Sequence, residues 1–207
     1  GVKMNIVLLG IQGSGKGTLV QDLSKHLDFL LVSVGSSLRD EIATGSKLGK
    51  LIKSKMDKGE LVDTNIVMDT INKKLSDNKK SIVIFDGFPR SREQADELDK
   101  ICNVDLAIYL NLKKEDALKR IMNRLTCSKC GNITTRVKCP DLVCPVCNGK
   151  LTVRSDDTPE VANKRFEQYR LETEPLIKRY RESGVLVEID ASKTPNEVLK
   201  AVMKVIK

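Results

Sequence analysis

The stretch Gly10-Ile-Gln-Gly13-Ser-Gly15-Lys16-Gly17-Thr18 constrains this chain more than any other. An apolar run from Met4 to Leu9 precedes it and reads as a short buried strand. Leu19-Val20-Gln21-Asp22-Leu23 follows with the spacing of a helix that extends to about Leu27. Strand, glycine-rich turn and helix is the context of a phosphate-binding loop. The glycines let the backbone approach an anion, successive N–H groups converge at a helix N-terminus, and Lys16 adds a full positive charge. The spacing matches G-x-x-x-x-G-K, with the hydroxyl one residue late, at Thr18 behind Gly17.

Further strands are predicted at Phe29–Val32, Ser81–Phe85, Leu106–Leu112 and Val185–Ile189, which together with the first imply an α/β fold. Between Ser33 and Leu75 the apolar spacing predicts three short helices, read as an insert rather than a sheet crossover. Asp86 stands at the C-terminal end of a fully apolar strand, the edge where open parallel sheets bind ligands. An Asp there beside a phosphate loop commonly holds Mg²⁺ through water; capping the next turn is the alternative. Gly87-Phe88-Pro89-Arg90 reads as a rigid turn, with Gln94 four residues on, a pair suited to a phosphate and a base edge. A helix from Glu115 to Asn123 is expected to project Arg120 and Arg124 from one side, and a long helix from Pro159 to Arg181 to carry Arg165.

Of the 6 cysteines, five fall between Cys127 and Cys147. Cys127-Ser-Lys-Cys130 and Cys144-Pro-Val-Cys147 form two C-x2-C knuckles separated by thirteen residues, the pattern of a structural zinc site with four thiolate ligands. Cys139 belongs to neither knuckle and reads as a bystander. The segment they staple is too small to build its own core, so metal binding would replace apolar burial.

A chain of 207 residues, 40% hydrophobic and 31% charged, suits one soluble domain with small inserts. No apolar run approaches the ~20 residues of a membrane span, and no signal pattern begins the sequence, so a cytoplasmic location is expected. The net charge of +8 points to anionic partners, and its sign alone leaves nucleotides, nucleic acid and membrane surfaces open. Only 11 of the 36 basic residues are Arg, and several stand beside motif residues, as bidentate phosphate contacts require. Aromatic content of 3%, without Trp, argues against a base-stacking platform.

Taken together, these pieces resemble the adenylate kinase family, of the type with a zinc-bearing lid, over essentially the whole chain. The matching residues are Gly10 to Thr18, Ser33 with Gly35 and Leu38-Arg39, Gly59-x-Leu61-Val62, Phe85-Asp-Gly-Phe-Pro-Arg90 with Gln94-Ala95, and Arg120 with Arg124. Arg154-x-Asp156-Asp157, Arg165, and Ile189-Asp190 with Lys193 complete the set. The resemblance implies a P-loop NTPase-type three-layer fold with a five-stranded parallel sheet. Its core would comprise residues 1–32, 63–124 and 158–207, with a nucleoside monophosphate-binding insert at 33–62 and a lid at 125–157. It assigns Arg39 and Arg90 to the monophosphate, Gln94 and the Gly59 to Val62 backbone to the acceptor base, and Asp86 to Mg²⁺. Gly35 and Gly87 join the acceptor set. Lys16, Arg124, Arg154 and Arg165 surround the transferring phosphate; Arg120 faces the donor base, and Gly13, Ser14, Gly15, Gly17, Thr18 and Lys193 bind ATP.

The implied reaction is reversible Mg²⁺-dependent transfer from ATP to AMP giving two ADP, with structural Zn²⁺; a monomer is favoured and a homo-oligomer stays open. Gln12 and Asp63 stand where the family usually has Pro, and Val34 where it has Thr near the acceptor base. Relatives that phosphorylate pyrimidine monophosphates have a small residue at that last position, so a UMP- or CMP-preferring kinase is the first alternative. A P-loop protein gripping nucleic acid through its zinc ribbon is a more remote one. The absence of N-K-x-D and D-x-x-G motifs and of ribbon aromatics speaks against it.

Overall fold

The computed structural model describes residues 4–76 and 78–206. β1 (Met4–Gly10) leads into α1 (Lys16–Leu23) and β2 (Leu30–Ser33); α2 (Val34–Ala43), α3 (Lys47–Asp57) and α4 (Thr64–Leu75) follow before β3 (Ile82–Asp86). Next come α5 (Arg92–Asp99), β4 (Leu106–Asn111) and α6 (Lys114–Asn123). Three short strands, β5 (Arg124–Cys127), β6 (Ile133–Thr135) and β7 (Leu151–Thr152), precede α7 (Pro159–Gln168), α8 (Glu174–Glu182), β8 (Leu186–Asp190) and α9 (Pro195–Val205).

The main sheet is parallel throughout, in the order β2-β3-β1-β4-β8. Successive residues of a strand face opposite sides, so one apolar run supplies two cores. Ile6, Leu8, Ile84, Ile108 and Leu110 pack with residues of α1, α6 and α9. Val7, Leu9, Val83, Phe85 and Ala107 pack with residues of α2 to α5 and α8. The result is the α/β fold that the strand pattern predicts, in the three layers that the family resemblance implies. Helix starts are set locally: Ser46, Ser91, Thr158 and Thr194 each accept a hydrogen bond from a backbone N–H in the first turn, and Thr194 forms a full capping box with Glu197. A second, antiparallel sheet, β6-β5-β7, carries the cysteines and a small core of Leu125, Leu151, Cys127, Cys139 and Cys144.

Four sequence expectations are corrected. α1 stops at Leu23, and the only histidine, His26, lies exposed in the turn beyond it. The return from β2 to β3 is a crossover as well, because the two strands are adjacent and parallel, and α4 within it buries Val67 and Ile71 against the sheet. Arg124 lies off the helix of Arg120; the chain turns extended there and Arg124 begins β5. The long helix from Pro159 is interrupted by a π-helical turn, Tyr169–Thr173, that the 3.6-residue pattern does not reveal.

Candidate active site

The C-terminal edge of the parallel sheet opens into a cavity of about 1250 Å³. That exceeds the roughly 300–1,000 Å³ usual for one small ligand. Every residue expected from the sequence to touch a nucleotide lines it, from Gly13 at one end to Gln94 at the other. Register explains the convergence: Asp86 of β3 lies abreast of Leu8 in β1 and Ser33 in β2, while Gly10 lies abreast of Leu110 in β4.

At the first end the glycine-rich loop wraps the start of α1. Gly13 has φ +83, and a Cβ there would lie 2.6 Å from the Ala117 carbonyl oxygen and 2.8 Å from the Ile121 side chain, so glycine alone lets the loop seat on α6. Lys16 Nζ donates to the carbonyl oxygens of Gly10 (2.8 Å) and Ile11 (3.3 Å). Burial pulls its pKa down to about 8, with Asp86 opposing and Arg90 and Arg124 adding to the fall. Arg120 spans the loop and the far side of the sheet, donating to the Ala191 carbonyl oxygen at 2.7 Å and to that of Ser14 at 3.4 Å.

The middle of the cavity is a ring of arginines held by two buried aspartates. Asp156 accepts from Arg39 at 2.8 Å and from Arg165 at 2.6 Å, joining α2 to α7. Arg165 also donates to the Met56 carbonyl oxygen at the end of α3. Asp157 takes Arg124 in a two-pronged contact, Nε at 3.0 Å and Nη2 at 2.6 Å. Burial alone would raise the Asp156 carboxyl pKa; Arg39 and Arg165 outweigh it and hold the group well below the usual carboxylate range. Arg154 has no side-chain hydrogen bond or ion pair among the described residues. Burial, then Arg39 and Arg124, bring its pKa down to about 10. Arg90 is exposed to the open cavity that it lines, among the other cations of the ring. Desolvation by the surrounding protein, with Arg165 and Arg39 near, lowers its pKa to about 10, and Asp86 opposes the fall.

Arg90 precedes α5 rather than lying on it, so the helical face expected for Arg90 and Gln94 is replaced by a direct contact. Gln94 Oε1 accepts from the Arg90 N–H at 2.7 Å, and Arg90 Nε donates to the Gly87 carbonyl oxygen at 2.9 Å. Gln94 is buried, and its amide NH₂ donates to nothing among the described residues. The π-helical turn contributes Thr173, whose hydroxyl donates to the Arg90 carbonyl oxygen. Around this end the wall is Gly35, Leu38, Met56, Gly59 to Val62 and Val67, with Val34 nearly fully buried beside them.

The cysteines meet as the two knuckles imply. The Sγ atoms of Cys127, Cys130, Cys144 and Cys147 all lie within 4.8 Å of one another, with Cys127 and Cys147 at 3.5 Å and Cys130 and Cys144 at 3.7 Å. Four ligands about 2.3 Å from one tetrahedral ion would stand at similar separations, so the donor set fits a thiophilic metal. The Cys130 N–H pulls the Cys127 thiol down to about 6, aided by that of Lys129. Gly149 leaves the cluster its room, since a Cβ there would lie 3.0 Å from Cys127 Sγ. Cys139 stands apart, its Sγ 3.5 Å from the Thr134 hydroxyl.

Sequence reasoning found the cations but not what holds them together. Asp156 and Asp157 were visible only as an acidic pair after Arg154, and Thr173 carried no signal at all. The state of Lys16 is testable. Its folded pKa lies below the free value of 10.5, so carrying the proton costs stability at neutral pH, and that cost disappears as pH rises from about 8 to 10.5. Nucleotide-free Lys16→Met is therefore expected to melt at or above the wild-type temperature at pH 7, with the gap closing across that window. Thermal melts over the range check this; a gap independent of pH would contradict it.

Comparison with known proteins agrees with this geometry. The sequence model of the adenylate kinase family matches residues 8–185. The adenylate kinase of Thermodesulfovibrio yellowstonii is 37% identical, covering 98% of this chain and 99% of its own. Those of Archaeoglobus fulgidus, 36% identical over 98% of each chain, and Caldicellulosiruptor bescii, 37% identical over 96% of this chain and 98% of its own, are similar throughout. With a family match across most of its length and full-length relatives above 35% identity, the chain belongs to the adenylate kinase family.

Proposed function

We propose that the chain catalyses reversible, Mg²⁺-dependent phosphoryl transfer from ATP to AMP, giving two ADP. The observation that carries this reading is the convergence of Lys16, Arg39, Arg90, Arg124, Arg154 and Arg165, spread over 150 residues of sequence, on one cavity with a phosphate loop at one end and a largely apolar notch at the other. ATP takes the end formed by Gly13 to Thr18, Arg120, Arg124 and Lys193. AMP takes the end formed by Gly35, Arg39, Gly59, Leu61, Val62, Gly87, Arg90 and Gln94, with the Gln94 amide NH₂ directed to the base. Residues 33–62 are the acceptor-binding insert, 125–157 the lid, and the remainder the core.

The acceptor is already an anionic phosphate, so no general base is needed. The obstacle is repulsion between two polyanions, and the protein removes it by placing fixed cations where charge gathers on the transferring group. Lys16 leaves its loop carbonyls for phosphate oxygens, and Arg90, Arg154 and Arg165 bridge the two substrates. Mg²⁺ suits Asp86, whose carboxylate has no ion-pair partner among the described residues, and it would neutralise phosphate charge there. Water competes as acceptor, and a lid closed over both nucleotides excludes it, moving on a microsecond to millisecond scale.

Zinc at the four cysteines is structural, since four thiolates leave no open coordination position. Cys127→Ser with Cys130→Ser is therefore expected to lower the melting temperature while sparing turnover at low temperature. Calorimetry beside a cold ADP assay tests this; lost turnover with unchanged melting would contradict it.

Val34 offers the acceptor base no hydrogen bond, and this favours a second reading, a kinase with relaxed or pyrimidine-preferring acceptor choice. ADP formation from ATP plus AMP, compared with rates on UMP, CMP and GMP, separates the two. Arg90→Ala should lower the AMP-dependent rate on the order of 10²-fold or more. A loss under roughly threefold, far below the effect of removing a charge-stabilising donor, would remove Arg90 from the acceptor phosphate.

A further inference from the structure

The small sheet touches the phosphate-loop helix at one place that neither the arginines nor the metal knuckles explain. Ile133 opens β6, and its backbone N–H donates to Oε1 of Gln21 in α1 at 2.9 Å, across 112 residues of sequence. Its side chain lies over the loop. A Cβ added to Gly17 would come within 2.6 Å of Ile133 Cδ1, the only atom within 4 Å of it among the described residues apart from its chain neighbours and the backbone of its own helix. Gly17 does not have a left-handed backbone conformation, so the chain bend does not require a glycine there. Gly17 and Gln21 stand four residues apart on one face of α1. That face therefore presents a gap for a side-chain tip and, one turn on, an oxygen for an N–H.

We propose that Gly17, Gln21 and Ile133 form a latch that seats the lid on the donor end of the cavity, with Gln21 a positioning residue that touches no reacting atom. The latch rests on the assignment of the donor to the phosphate loop, and it names the residues that hold the lid there. Ile133 is fixed for this task by its neighbours: Thr126 pairs with it across β5, and the Cys127 N–H donates to the Asn132 carbonyl oxygen at 2.9 Å. Gln21 carries no charge, so it holds the lid without adding to the field around the phosphates. The glycine after Lys16, where a hydroxyl residue ordinarily stands in a phosphate loop, is then a seat for the lid. Because both contacts fall on α1, the latch acts on donor retention and leaves the acceptor end alone.

Gln21→Met keeps the length of the side chain and removes the acceptor. In steady-state assays with ATP and AMP varied separately, it is expected to raise the KM for ATP roughly three- to tenfold, the worth of one hydrogen bond. The KM for AMP should change less than about twofold, and the Ile133 amide should exchange its hydrogen faster in the nucleotide-free protein, with global melting unchanged. Unaltered exchange at Ile133, or the two KM values rising together, would overturn the latch. A second test uses the contact at Gly17. Gly17→Ala should weaken ATP, and Ile133→Val, which deletes the Cδ1 methyl, should recover it in the double variant; no recovery would show that Gly17 serves the phosphates alone. Wild-type protein that formed no ADP would instead sink the proposed function, a result distinct from either failure of the latch.

Discussion

Mutual repulsion among clustered cations is the constraint on which the structure turns. Six positively charged side chains are held around one cavity, and charge alone would drive them apart. Asp156 and Asp157 make the arrangement tolerable by taking Arg39, Arg165 and Arg124 into short, largely buried contacts. Breaking one such buried pair by removing a partner costs about 3–5 kcal/mol. Among the described residues Lys16, Arg90 and Arg154 have no carboxylate ion-pair partner, and desolvation, with neighbouring cations adding to it, lowers their pKa values. On the proposed function, phosphate would relieve that burden, and the charges that cost the free protein stability would bind its substrates.

The fold supplies this geometry cheaply. A parallel sheet brings the ends of distant strands to one edge, and β1, β2 and β3 place the phosphate loop, Ser33 and Asp86 side by side there. The long return from β2 to β3 carries Arg39 on α2, while α7 brings Arg165 from the last third of the chain. The π-helical turn after α7 reorients the chain so that Thr173 reaches the Arg90 backbone. Short-range chemistry thus sets each element, and long-range ion pairs set how the elements meet.

Much of this was legible in the sequence, for identifiable reasons. Apolar runs such as Ile82–Phe85 permit little but a buried strand, and the loop from Gly10 to Thr18 carries its function in its spacing. The paired knuckles announced four ligands because two residues between cysteines is itself a geometric statement. Other features were hidden for equally physical reasons. The helix end at Asn123 was legible, but the departure of Arg124 from the face of Arg120 was not, because helical spacing does not sense the sheet that claims the residue. The partners of Asp156 and Asp157, the contact of Gln21 with Ile133, and the role of Thr173 depend on tertiary placement across 33 to 117 residues, which local pattern does not encode.

The cysteine-bearing sheet connects the two halves of this picture. Its first strand begins at Arg124, one of the cations lining the cavity, and its second begins at Ile133 over the loop helix. The sheet that carries the four-cysteine cluster thus reaches both the charge ring and α1. The most direct measurement is the affinity of a compound that joins two adenosines through a polyphosphate long enough to span the cavity, compared with ATP and AMP alone. A single pocket built for two nucleotides end to end predicts binding roughly 10²-fold or more tighter than the better single nucleotide. Equal affinity for the joined compound and for ATP would contradict it.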